Sequence, residues 1–195
     1  MLIYVHGFNS SASSYKANLV RERMEALGRA AEFACPALDP RPQRAMAQIE
    51  TLIDGAGKSR ISLVGSSLGG YYATHLAEKH GVRAALLNPA VRPYERLREV
   101  LGPQRNLYTG AEYEFTAQHV RELEALEVPR ITSGRYLLVV TTGDEVLDYR
   151  AAVAKYAGCE QVVIDGGDHG FSGFADYLDP VLGFCGIEGQ PGPPG

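Results

Sequence analysis

The sequence predicts an α/β fold: a mainly parallel sheet of about six strands with helices on both faces. Three observations predict it. Short uncharged runs of aliphatic and β-branched residues recur at 2–5, 61–64, 84–87, 136–140 and 161–164, and such runs suit strands buried on both faces. Segments of helical length and periodicity separate them, and that alternation is the signature of parallel pairing through right-handed crossovers. The length of 195 residues, with 45% hydrophobic and 22% charged content, fits a packed globular unit rather than a disordered chain.

Taken in order, 2–5 reads as a strand that runs directly into the loop His6-Gly7-Phe8-Asn9-Ser10-Ser11. Residues 14–27 read as a helix, with Leu19, Met24 and Leu27 on its apolar face and Gly28 as its stop. A short strand is predicted at 31–35, ended by Pro36. A helix at 44–53 then presents Met46, Ile49, Leu52 and Ile53 on one side. The strand at 61–64 leads through small residues into a helix at 68–79, closed by Gly81. A further strand at 84–88 ends at Pro89.

The rhythm breaks over 90–133. A short helix at 93–101 closes at Gly102-Pro103, and a loop with Tyr108, Gly110, Tyr113 and Phe115 follows. Thr116 reads as the N-cap of a second helix, with Phe115 and Val120 spaced for a hydrophobic staple. An insertion at this point of an α/β sheet sits over the carboxyl edge, where ligands bind. The expectation is therefore a small helical cap within one domain spanning 1–187; an ordinary crossover helix with a long surface loop fits the pattern equally. The most hydrophobic strand, 136–140, leads to Thr141-Thr142-Gly143-Asp144. A helix at 148–156 and the last strand at 161–164 follow, then Asp165-Gly166-Gly167-Asp168-His169-Gly170-Phe171 and a closing helix at 174–184. The Gly/Pro-rich 188–195 is expected to be a disordered tail.

Composition narrows the function. A net charge of −4 argues against nucleic-acid partners and against an anionic membrane surface. No apolar run is long enough to span a bilayer, and the run at 2–5 is too short for a signal peptide. Cys35, Cys159 and Cys185 are odd in number and lack metal-ligand spacing, so they read as reduced thiols of a cytoplasmic protein. No phosphate-binding loop, metal cluster or dinucleotide fingerprint occurs, so no cofactor and no metal are expected. The sequence assigns no oligomeric state.

One stretch carries the chemistry. Gly65-Ser66-Ser67-Leu68-Gly69-Gly70 joins a predicted strand to a predicted helix, the context in which Gly-x-Ser-x-Gly is a nucleophile elbow. Side chains at positions 65 and 69 would collide in so tight a turn, and Gly70 lets the helix approach the sheet. Ser67 is the candidate nucleophile; Ser66, its rival, lacks the flanking glycine spacing. A serine needs a base, because its hydroxyl is a weak nucleophile at neutral pH. Of five histidines, His75 and His80 lie on the following helix, His119 in the insertion, and His6 at the first strand's end. His169 alone sits in a glycine-rich loop after the last strand. The base needs a carboxylate to fix its tautomer, and Asp144 leaves a strand end directly, with Glu145, Asp148, Asp165 and Asp168 as rivals. Ser67, Asp144, His169 is then the chain order of α/β-hydrolases. The oxyanion would be held by the backbone amides of Leu68, after the nucleophile, and Phe8, in the loop after the first strand.

The blocks His6-Gly7-Phe8-Asn9-Ser10-Ser11, Gly65 to Gly70, Asn88-Pro89-Ala90-Val91-Arg92-Pro93-Tyr94, Gly143-Asp144-Glu145-Val146-Leu147-Asp148-Tyr149-Arg150 and Gly166-Gly167-Asp168-His169 resemble the YqiA-like bacterial esterases, a compact branch of the α/β-hydrolase superfamily. The resemblance implies a minimal α/β-hydrolase fold without the antiparallel leading strands. It also implies a cytoplasmic serine hydrolase of acyl esters or thioesters with Ser67, Asp144 and His169 as triad. A non-catalytic binding protein of the same fold and a serine peptidase are the alternatives. The aromatic residues Phe8, Tyr72, Tyr94, Tyr113, Phe115 and Phe171 are expected at an uncharged pocket mouth, with Tyr72, Tyr94, Phe115 and Phe171 as substrate-binding residues. Such a mouth favours neutral acyl groups of short to medium length.

Overall fold

The computed structural model describes residues 1–57 and 61–187; the tail expected at 188–195 lies outside them. Strand β1 (Leu2–Val5) is buried along its whole length, and α1 (Tyr15–Ala26) follows its loop. Strand β2 (Phe33–Ala34) has only two residues, because a 3₁₀ turn at Ala30–Glu32 takes the start of the stretch predicted as extended. Pro42 opens α2 (Pro42–Ala56), where its fixed φ costs nothing and its missing N–H is not needed. That helix buries Met46, Ile49 and Ile53 at helical spacing. Then come β3 (Ser62–Ser66), α3 (Leu68–His80) and β4 (Arg83–Leu87), with Gly81 left-handed at the end of α3.

The insertion is helix, hairpin, helix. After α4 (Pro93–Leu97) and a 3₁₀ turn, the stretch read from sequence as a loop pairs as β5 (Gly102–Arg105) with β6 (Glu112–Phe115), antiparallel. Turn chemistry explains the difference. Asn106 accepts the amide protons of Tyr108 and Thr109 on its side chain, its own N–H donates to Ala111 O, and Gly110 takes φ +71°. Pro103 is tolerated because a two-stranded hairpin is all edge. Thr116 is the N-cap of α5 (Ala117–Glu124), as its position predicts.

The chain returns through β7 (Tyr136–Thr141), α6 (Tyr149–Lys155) and β8 (Glu160–Ile164). A 3₁₀ turn at Phe174–Tyr177 precedes α7 (Leu178–Phe184), so the closing helix is shorter than the pattern predicts. The six strands pair in the order β2-β1-β3-β4-β7-β8, every pair parallel. Alternation along β1 splits the core in two. Ile3 and Val5 join α2, α3 and the α5 residues Val120 and Leu123; Leu2 and Tyr4 join α1 and α7.

Candidate active site

The turn between β3 and α3 holds Ser67 at φ 54°, ψ −122°, a conformation that non-glycine residues adopt only when their surroundings impose it. Those surroundings are specific. The Ser67 amide donates to Leu87 O at 3.1 Å, and its carbonyl accepts from Gly70 and Ala90. A Cβ on Gly69 would overlap the Val5 carbonyl, so α3 meets β1 backbone to backbone. Gly7 presses on the same serine: a Cβ there would lie 3.1 Å from Ser67 Cβ.

Three side chains from three strand ends converge. His169 Nε2 lies 3.1 Å from Ser67 Oγ, and His169 Nδ1 lies 2.8 Å from Asp144 Oδ2. The other carboxylate oxygen, Oδ1, accepts the amides of Val146 and Leu147 at 2.8 Å each. Burial pushes the Asp144 carboxyl up, but the His169 hydrogen bond and those two amides outweigh it, and the net shift is downward. An ionised Asp144 accepts a hydrogen bond from Nδ1–H and so keeps the ring proton there, which leaves Nε2 to accept the Ser67 hydroxyl proton. The rivals are otherwise engaged. Asp148 caps α6, Asp165 accepts from Thr142, Asp168 from Ser172, and Glu145 accepts the His169 backbone amide rather than its ring. His75 bonds Leu126 O, and His119 accepts the Thr116 amide.

The loop carrying His169 is held from behind by residues that sequence reasoning did not single out. Asn88, at φ 43° after β4, donates to Asp168 O and Thr141 Oγ1 and accepts the Thr141 amide; Thr141 also donates to Asp168 O. An asparagine between a buried strand and a proline was the available signal. On the other side, the hairpin is tied to the loop after β1. Asn106 donates to Ser10 O, the Leu107 amide to Asn9 O, and Tyr113 Oη to Asn9 Oδ1 at 2.7 Å. His6 braces this loop, accepting the Leu38 amide on Nε2 while Nδ1 donates to Gly7 O. The Phe8 and Leu68 amides donate to no backbone or side-chain acceptor among the described residues.

Residues 1–186 match the family described as an uncharacterised protein family, UPF0227. The chain belongs to this family. UPF0227 is the YqiA family that the sequence blocks resemble. The fold is that of α/β-hydrolases. Est1E from Butyrivibrio proteoclasticus superposes with a TM-score of 0.70 at 21% identity, over 94% of this chain and 85% of that one. Alpha/beta hydrolase domain-containing protein 10 from mouse gives 0.69 at 18%, over 93% and 89%. The esterase domain of a Rhodothermus marinus protein gives 0.65 at 17%, over 95% and 84%.

Two cavities open beside the loop after β1 in this UPF0227 member, with Phe8 lining both and Ser67 lining one. One, of about 650 Å³, is lined by Ser67, His169, Lys16, Leu107 and Tyr108; the other, of about 210 Å³, by Leu68, Tyr72, Leu38 and Tyr113. Tyr72 thus lines a cavity beside the site. Tyr94, Phe115 and Phe171 line neither, which corrects their expected place. Tyr94, on α4, is buried with its hydroxyl donating to Glu127. Phe115 is 1% exposed and stands edge-on behind Phe8, ring centroids 5.4 Å apart. Phe171, also 1% exposed, turns at φ 57° into the α1–α7 side of the core against Phe174. The expected uncharged mouth is also corrected, since Lys16 lines the larger cavity.

Proposed function

We propose that the chain is a serine hydrolase that cleaves acyl esters, and acyl thioesters, through an acyl-enzyme. One observation carries this reading: Ser67 Oγ, the His169 ring and the Asp144 carboxylate form a continuous hydrogen-bonded line of 3.1 and 2.8 Å, with Ser67 on a strained strand-to-helix turn. In this reading Ser67 attacks the acyl carbonyl while His169 Nε2 takes its proton. Asp144 keeps Nδ1–H in place and stabilises the imidazolium. The Phe8 and Leu68 amides receive the oxyanion, the second of them at the amide-rich start of α3. His169 then protonates the leaving alcohol or thiol, activates water, and the acyl-enzyme hydrolyses. The two cavities give separate room for the acyl and leaving arms.

No helix of the described residues is long and apolar enough to cross a membrane. The three cysteines are free, in keeping with a cytoplasmic setting. Fold relatives such as the esterase domain from Rhodothermus marinus support the ester reading in class. Amides have a poorer leaving group than esters or thioesters. We expect measurable kcat/KM on p-nitrophenyl esters and on acyl thioesters, and a value on peptides below that on the best ester. A peptide constant above every ester would replace the esterase reading with a peptidase. No turnover of any acyl substrate would favour a binding protein of the same fold.

A further inference from the structure

Lys16 breaks three local rules at once. It occupies the second position of α1, at the positive end of the helix dipole, and no acidic residue shares that first turn. It is only 9% exposed, and buried lysines are rare unless paired. Yet among the described residues its ammonium makes no ion pair within bonding range: its hydrogen bonds go to two carbonyls, Gly170 O at 2.7 Å and His169 O at 3.4 Å. An ammonium has three N–H donors, so one is left over.

Lys16 lines the same cavity as Ser67. The hydroxyl-bearing residues Tyr4, Ser10 and Ser14 line it too. The Tyr4 hydroxyl is buried and makes no hydrogen bond of ordinary geometry among the described residues. The acid in that lining, Asp168, has its carboxylate bonded to the Ser172 hydroxyl and amide. A desolvated cation whose neighbouring carboxylates, Asp168 and Asp144, lie beyond ion-pair range, in a cavity lined with hydroxyl-bearing residues, is the chemistry of a site for a carboxylate or phosphate.

We infer that the cavity is an anion-recognising subsite, in which Lys16 binds a carboxylate or phosphate on one arm of the ester that Ser67 cleaves. This deepens the serine-hydrolase reading and rests on it for the cleavage alone. Burial lowers the Lys16 pKa to about 8, against the pull of Asp168 and Asp144. An arriving anion would return to the ammonium part of the stabilisation that burial removed.

The test compares matched ester pairs on the full chain. p-Nitrophenyl hemisuccinate against p-nitrophenyl valerate places the charge on the acyl arm. 4-(Butyryloxy)benzoate against its methyl ester places it on the leaving arm, and 4-(butyryloxy)phenyl phosphate replaces carboxylate by phosphate. The anionic member of one pair should be preferred in kcat/KM by about tenfold or more, the range of a hydrogen bond to a charged group. Lys16→Gln should collapse that ratio towards one, and Lys16→Arg should keep most of it. Titration calorimetry of Ser67→Ala with the same pairs reads the preference without turnover. Binding with a Lys16-dependent preference but no hydrolysis would keep the subsite and discard the hydrolase. Hydrolysis of every pair without preference would discard the subsite and keep the hydrolase. An equal fall on charged and neutral esters in Lys16→Gln would overturn the inference, leaving Lys16 as a brace for the His169 loop.

Discussion

At the scale of the residue, the Ser67, Asp144 and His169 positions are legible because each follows a strand end and each carries a type that one reaction needs. Choosing Asp144 over four neighbouring carboxylates needs geometry: its carboxylate reaches the imidazole ring, whereas Glu145 reaches only the backbone of the same histidine. Asp144→Asn is expected to lower kcat by about 10⁴-fold, because the tautomer of His169 is then no longer fixed. Asp148→Asn keeps the acceptor oxygen that caps α6 and removes only its charge, so steady-state kinetics and thermal melts should find turnover and stability both nearly unchanged. Lys16 was not legible. A lone lysine near a helix start reads as a solvated charge, and only the tertiary structure buries it. The aromatic residues misled for the opposite reason: composition gives a ring but not its direction, and the positive φ of Phe171 turns that ring into the core.

At the scale of the element, the strands and helices follow from periodicity, while the hairpin β5–β6 does not. Its strands are four residues each, contain Gly102 and Pro103, and bury only Phe115 fully, so no period-2 pattern stands out. What it does is visible only in three dimensions, where Asn106 and Tyr113 tie it to the loop bearing the Phe8 amide. That loop is also tied to the segment before α2 through His6, whose pKa burial holds below the usual imidazole value. A depressed histidine is neutral in the fold and protonates more readily in the unfolded chain. Its contribution is therefore complete above the unfolded pKa of about 6.5 and is lost as pH falls from there towards the folded value. Thermal melts at pH 7 and pH 5 should accordingly show a smaller loss of Tm in His6→Gln than in the parent chain. An equal loss would mean that His6 is not the group responsible.

For the whole molecule, strand–helix alternation announces the α/β class but not the spatial order β2-β1-β3-β4-β7-β8, which arises from crossover handedness and from which faces must be covered. That order gathers the carboxyl ends of β1, β3, β4, β7 and β8 along one edge. From there Phe8, Ser67, Asn88, Asp144 and His169 reach a common point, as the ligand edge of an open parallel sheet should allow. The geometry at this point should activate Ser67 and no other serine. This is tested most directly by fluorophosphonate labelling of the intact protein followed by peptide mass spectrometry. One adduct is expected, on Ser67, absent in Ser67→Ala and formed far more slowly in His169→Ala. An adduct on Ser66, or none on a folded protein that still hydrolyses esters, would contradict it.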